Sequence, residues 1–168
     1  MDAAKGSAEI PADVRSAYEV EMLLYFTVLQ EHGAEFGYRV AHEAARFIHF
    51  YKLMGNYADG DISWFPGAFD CVVVQKFLPK LHGSRAKLGP LLKALWFLST
   101  HQRPYSEDHK ANKLIMEQGL NQAKEKTSDT SFTPSTEAGN APHPLSADKI
   151  ARMWKLLNEN GFASFAEA

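Results

Sequence analysis

Apolar residues recur every three or four positions along most of this chain, which is the spacing of amphipathic helices. The first such segment runs from Pro11 to His32, with Glu19 and Glu21 marking its polar side. Proline suits a first helical turn, and Gly33 suits the left-handed position after the last one. The apolar side of this predicted helix carries Val14, Tyr18, Met22, Tyr25 or Phe26, and Leu29.

Three further helices are predicted before residue 104. They cover Tyr38 to Met54, which stops at Gly55-Asn56, then Ala68 to Leu81, and then Ser84 to Thr100 with Ser84 as candidate N-cap. The run Val72-Val73-Val74 is also compatible with a strand. A helix is preferred because Phe69, Val73, Phe77 and Leu81 repeat at every fourth position. Pro79 should kink or end its regular part.

The composition changes after residue 103. Residues 106–126 are charged and could form one solvated helix, whereas residues 127–144 are rich in Ser, Thr, Pro, Gly and Asn. Such a polar stretch cannot bury enough apolar surface to order itself. A last helix over residues 146–160 should dock back on the bundle through Trp154.

The pattern therefore predicts an all-α fold, a compact bundle of about five helices with a long disordered insert before the last helix. The expected organisation is a flexible N-terminus over 1–10, a helical bundle over 11–103, a polar and largely disordered insert over 104–145, and a docking C-terminal helix over 146–165.

Composition narrows the class of protein. The chain has 168 residues, a net charge of −2 and one cysteine, Cys71, which sits in an apolar run and is expected to be a small core residue. The N-terminus lacks the apolar region of a signal peptide, and the apolar runs are too short to span a membrane. These features indicate a cytoplasmic protein with no membrane partner.

Motifs of catalysis are missing from the sequence. It contains no phosphate-binding Gly-x-x-x-x-Gly-Lys-Ser/Thr loop, no Gly-x-Gly-x-x-Gly and no His-Glu-x-x-His. His42 and His49 lie two turns apart, which is not the spacing of a helical metal pair, so no metal site is expected. We predict no complete catalytic site in this chain.

One stretch has a single sign of charge. No acidic residue occurs between Asp70 and Glu107, and the interval holds Lys76, Lys80, Arg85, Lys87, Lys93 and Arg103. A solvated helix face explains such a run, but a surface facing phosphates or nucleic acid also fits. The candidate phosphate or nucleic-acid contacts are Lys76, Lys80, Lys87 and Lys93.

Arg39 occupies the first turn of the second predicted helix. A cation is unfavourable there because it meets the positive end of the helix dipole. Either Arg39 pairs with Glu35 or Glu43, or an anion approaches it, since the guanidinium fork matches phosphate oxygens.

Three segments together resemble one known family. They are Phe36-Gly37-Tyr38-Arg39-Val40 with Glu43 and Phe47-Ile48; Gln75 to Arg85, reading QKFLPKLHGSR; and Pro144 to Phe165, with Lys149-Ile150, Met153, Leu157 and Gly161-Phe162. They resemble the C-terminal helical lid of McrB-like AAA+ NTPases, the motor proteins of restriction and related defence systems. The resemblance covers residues 12–103 and 144–165, and its second segment is the most specific.

The resemblance implies a lid that closes over nucleotide bound by a core domain expected before Met1. Arg39 and Arg85 are then the candidate nucleotide sensors. ATP or GTP with Mg would be bound by the parent protein and not by this chain alone. The implied partners are the AAA+ core, neighbouring ring subunits and a nuclease, with DNA reached only indirectly.

Two other functions fit the sequence. One is a free-standing helical nucleic-acid-binding module that uses the basic face of residues 76–103. The other is a helical protein-interaction adaptor that uses an exposed Trp64-Phe65 pair and the polar insert.

Overall fold

The computed structural model describes residues 9–134 and 139–168, and this part of the chain is mostly helical, as predicted. The expected flexibility of the N-terminus falls, for residues 1–8, outside the described residues. The helices are α1 (Arg15–Glu31), α2 (Tyr38–Gly55), α3 (Phe65–Val72), α4 (Arg85–Thr100), α5 (His109–Thr127) and α6 (Pro144–Asn160), and two short strands, β1 (His82–Ser84) and β2 (Phe162–Ser164), pair antiparallel.

Left-handed residues end the helices where the sequence predicts. Gly33, two residues after α1, has φ of +67°, and Gly161 follows α6 with φ of +72°. The N–H of Gly161 donates to the Leu157 carbonyl at 2.9 Å, which closes the last turn. At the end of α2, Asn56 rather than glycine takes the left-handed conformation, with φ of +52°.

The third predicted helix is correct in type but irregular. The chain is α-helical only over α3, then forms a π-helix over Val73–Phe77 and a 3-10 turn over Leu78–Lys80. The valine run is therefore helical and not a strand. Pro79 has no N–H to donate, so regular α-helix cannot continue through it.

The core centres on Tyr25 of α1. Its ring lies 5.8 Å, centroid to centroid, from each of Phe69, Phe77 and His143. Apolar residues from α1, α3, α4 and α6 complete this core, including Leu24, Leu29, Leu92, Leu95, Leu98, Ile150, Met153 and Leu157.

The prediction of a largely disordered insert over 104–145 is not confirmed. Residues 109–127 form α5, which Asp108 caps by accepting the N–H of Lys110. This helix packs on α1 through small residues: a methyl group added at Gly119 would lie 3.1 Å from the Leu24 side chain. Further on, the Phe132 ring packs edge-on against Trp154 at 4.8 Å. Residues 135–138 lie outside the described residues.

The C-terminal helix docks as predicted, but it begins two residues early, at Pro144. Trp154 contacts the backbone position of Gly89 and stands within 5.7 Å of the Lys93 ammonium. The expected exposure of Trp64 and Phe65 is wrong, since both side chains are buried in the core. In the described part of the chain, none of the helices combines the length and apolar content that crossing a membrane requires.

Candidate functional site

The three segments that carry the family resemblance converge at one end of the bundle. Phe36, just before α2, stacks on Phe77 with a 4.5 Å separation and an angle of 3° between the rings. β1 then pairs with β2, aligning Gly83 with Ala163, and the Phe165 N–H donates to the Leu81 carbonyl. Residues far apart in the sequence are therefore packed together there.

A cleft of about 190 Å³ opens at this end of the bundle, between the loop after α1 and the turn that leads into α4. Its polar lining includes two lysines, two histidines and one acid: Lys80, Lys87, His32, His82 and Glu35. Buried leucines supply the rest of the wall. A cationic rim around a low-dielectric wall concentrates positive potential, which attracts anions.

Arg39 stands at the N-terminal turn of α2 with 91% of its side chain exposed. Its Nε donates to Glu43 Oε1 at 3.0 Å, and the other oxygen of Glu43 accepts from Lys76 at 2.8 Å. The hydrogen bonds from Lys76 and Arg39 lower the pKa of Glu43, which keeps this carboxylate ionised. Arg39 has the accessibility that contact with an incoming anion requires.

Arg85, the second candidate sensor, opens α4, and although exposed its side chain is held by backbone carbonyls at the end of α6. Its guanidinium donates to the carbonyl oxygens of Asn158 at 2.6 Å and Leu157 at 3.3 Å, and its backbone N–H donates to Gly161. The side chain thus caps the C-terminal end of α6, where a cation is favoured by the helix dipole.

The basic stretch does not form a single face. Lys80 and Lys87 line the cleft, whereas Lys76 pairs with Glu43. Lys93 donates to the Asp129 carbonyl, and Arg103 is buried in the core. The charge that the sequence concentrates between residues 76 and 103 is therefore divided between the cleft, where Lys80 and Lys87 are exposed, and separate contacts of Lys76, Lys93 and Arg103.

A buried ion pair joins α1 to the segment after α4, and the sequence interpretation missed it. Glu21 was expected on the polar side of α1, but its carboxylate is fully buried and forms a bidentate pair with Arg103 at 2.7 and 2.9 Å. The Tyr105 hydroxyl also donates to Glu21. Burial opposes ionisation of Glu21, but Arg103 and these hydrogen bonds outweigh it and lower the pKa.

A second polar cluster holds the start of α6. The carboxylate of Asp70, on α3, accepts the N–H of Leu145 at 2.7 Å and the N–H of Ser146 at 2.8 Å, as well as the Ser146 hydroxyl. An acid from another helix therefore caps α6. His143 lies just before α6, and its ring Nδ1 shares a 2.8 Å hydrogen bond with the Tyr25 hydroxyl. The backbone N–H of His143 donates to the Ser99 carbonyl.

His143 makes the stability of the fold depend on pH. It is fully buried, and its Nε2 has no partner among the described residues. Burial lowers the pKa of His143, Glu21 raises it in part, and Arg103 lowers it further. The unfolded chain protonates its histidines near pH 6.5, so below that pH it binds more protons than the folded chain. Unfolding should become easier as the pH falls, by up to about 1.4 kcal/mol per pH unit.

Urea unfolding between pH 7.5 and 5.5 tests this prediction, because carboxylates titrate mainly below that window. His143→Gln should remove most of the decrease in the free energy of unfolding between pH 7.5 and 5.5. His32, whose pKa is also lowered by its partial burial, should contribute less. The exposed His109 provides the control, and His109→Gln should keep the full pH dependence. A decline that persists unchanged in His143→Gln would contradict the assignment.

The fold and this site define a small helical domain with a basic cleft at one end and an apolar core that encloses a buried ion pair. The chain belongs to the family described as a domain of unknown function (DUF8727), whose model matches residues 7–162. No curated protein and no solved structure matches the chain. In the described ranges 9–134 and 139–168, no three His, Cys, Asp or Glu side chains are grouped so that they could hold a metal ion.

Proposed function

We propose that this domain is the helical lid of a McrB-like AAA+ NTPase. In that role it closes over ATP or GTP, with Mg, held by an α/β core domain whose phosphate-binding loop this chain lacks. The observation that carries the proposal is the convergence of the three resembling segments at one end of the bundle, through the Phe36–Phe77 stack and the β1–β2 pair. These contacts lie between buried rings and strand backbones, and they bring the three segments together in the fold.

The electrostatics of this end of the bundle agree with a phosphate-facing role. Lys80 and Lys87 line the cleft, and Arg39 projects into solvent. Among the residues that the structure describes, Glu43 is the one hydrogen-bonding partner of the Arg39 side chain, and Glu43 keeps Lys76 as its second partner. An incoming phosphate can therefore bind the Arg39 guanidinium, and the Glu43 carboxylate would still be paired with Lys76.

Such a lid would contribute to phosphoryl transfer through charge and position. A guanidinium placed near the γ-phosphate stabilises the charge of the transition state. Hydrolysis would remove that contact and let the lid rotate, which couples chemistry to motion between ring subunits. In this scheme Arg39 is the sensor, and Arg85 holds α6 in place.

The test uses the full parent protein, with the nucleotide-binding core attached. Arg39→Ala should lower kcat by at most about 10³-fold while changing nucleotide affinity less, because the contact acts mainly on the transition state. Arg39→Lys should restore little of the lost kcat, since an ammonium lacks the planar pair of N–H donors of a guanidinium. Arg152→Ala is the matched control: Arg152 is also an exposed arginine paired with an acid four residues away, and its loss should leave turnover unchanged.

Two outcomes would change the proposal. Loss of hydrolysis in Arg85→Ala but not in Arg39→Ala would transfer the sensor role to Arg85. Wild-type turnover in both variants would remove the lid's chemical role.

This chain alone should show no Mg-nucleotide binding tighter than about 100 μM by calorimetry, and tighter binding would instead favour a self-contained nucleotide site.

A further inference from the structure

Two lysines of the basic cleft have no partner in the described part of the chain. Lys80 and Lys87 line the cleft and are exposed, and neither side chain forms a hydrogen bond or an ion pair with a described residue. Elsewhere, Lys76 and Lys124 each pair with a carboxylate. The cleft therefore holds two cations whose charge an incoming ligand can neutralise.

The other titratable groups of the wall leave the cleft positive. Among the described lining residues, Glu35 is the one acid, so the lysines outnumber it by two to one. Burial lowers the pKa of His32 and the nearby Glu31 raises it only in part, so the His32 ring is neutral at pH 7. The positive charge of the cleft at that pH comes from the lysines.

The backbone of β1 adds an available N–H donor next to Lys80. Residues 81, 83 and 85 direct their backbone hydrogen bonds towards β2 and its flanking residues. Because this direction alternates along a strand, the N–H of His82 lies on the opposite edge, and no described residue accepts it. The His82 ring also lines the cleft, and its Nδ1 donates to the Lys80 carbonyl at 3.2 Å.

We propose that the basic cleft binds a single phosphate group. Two ammonium groups match the charge of about −1.5 to −2 that a phosphate group carries near neutral pH, and backbone N–H groups are common partners of its oxygens. The cleft volume of about 190 Å³ lies below the roughly 300–1,000 Å³ of pockets that enclose drug-sized ligands, so a whole nucleotide does not fit.

The ligand is therefore inorganic phosphate or the phosphate end of a nucleotide that is held elsewhere. This inference concerns the cleft that supports the proposed function, but it does not rest on that function, because the phosphate should bind to this chain alone.

NMR titration of the isotope-labelled full chain with sodium phosphate, at pH 7.5 and constant ionic strength, tests the proposal. The backbone N–H signals of His82 and its neighbours should shift and saturate with a Kd on the order of 1 mM. Sodium acetate, a monoanion, should bind more weakly. Lys80→Gln and Lys87→Gln should each weaken phosphate binding about tenfold, since each removes a charged hydrogen-bond donor. Glu35→Gln should instead strengthen it by up to about fivefold, because a repelling charge is lost.

Lys110→Gln is the matched control. Lys110 is an exposed lysine in the first turn of α5, as Lys87 is in α4, and its loss should leave phosphate binding unchanged. Unchanged melting temperatures in all four variants would exclude unfolding. Competition with magnesium-free ATP identifies the source of the phosphate: displacement of inorganic phosphate shows that the phosphate end of a nucleotide enters the cleft, and no displacement shows that the ligand is the free ion.

Three results would overturn the proposal: phosphate that shifts no signals of the cleft, acetate that binds as tightly as phosphate, or normal phosphate binding in both Lys80→Gln and Lys87→Gln. None of them bears on the lid function, which is tested by the turnover of Arg39→Ala in the parent protein.

Discussion

Replacing Arg103 with methionine is expected to lower the free energy of unfolding by about 3–5 kcal/mol, because the fully buried Glu21 carboxylate would lose its cation. Arg103 also donates to the carbonyl oxygens of His101 and Leu98, so the connection between α4 and α5 would lose an anchor. Urea unfolding at pH 7 measures the change. A loss below about 1 kcal/mol would mean that water reaches the carboxylate and compensates it.

A double variant separates the ion pair from simple packing. Glu21→Leu combined with Arg103→Met removes both charges, and well-packed apolar replacements of a buried pair are often neutral or stabilising. We therefore expect the double variant to recover much of the stability lost in Arg103→Met alone. If the double variant loses as much stability as Glu21→Leu and Arg103→Met lose together when measured singly, the cost lies in the shape of the site and not in the uncompensated charge.

Asp70→Ala is expected to cost about 3 kcal/mol, since two backbone N–H groups and one hydroxyl at the start of α6 would lose their common acceptor. Hydrogen exchange should show the loss first in α6 and β2, and only then in the rest of the bundle. Asp148→Ala removes an exposed acid of α6 and should stay within about 0.5 kcal/mol of the wild type. Equal exchange in both variants would show that α6 does not depend on this cap.

The helices that bury large apolar residues could be predicted from the sequence, whereas for α5 only a possible solvated helix over residues 106–126 could be predicted, and not its packing on the bundle. Periodicity and left-handed glycines locate α1, α2, α4 and α6 to within a few residues. The fully buried residues of α5 are Asn112, Gly119 and Ala123, while its larger apolar residues Ile115, Met116 and Leu120 are only partly buried against the core. The helix approaches α1 closely at Gly119, so the sequence pattern indicates a solvated helix although α5 packs on the bundle.

The site was only partly visible in the sequence. The first-turn position of Arg39 and Glu43 as one possible partner could be read from the sequence, but the carbonyl partners of Arg85 lie more than seventy residues away. No local pattern encodes such a pairing. Glu21 did carry a signal, because it falls three residues after Tyr18 and four before Tyr25, on the apolar side of α1. The helical period places Glu21 on the apolar side of α1, and this is a better guide to its burial than its charge.

The cap on α6 also orders events during synthesis. Asp70 and Ser146 are 76 positions apart, so the ribosome adds the helix to be capped roughly 4 to 15 seconds after the residue that caps it. Until α6 has been synthesised, α1, α3 and α4 lack the packing of Ile150, Met153 and Leu157. The bundle therefore completes its apolar core only after α6 has left the exit tunnel.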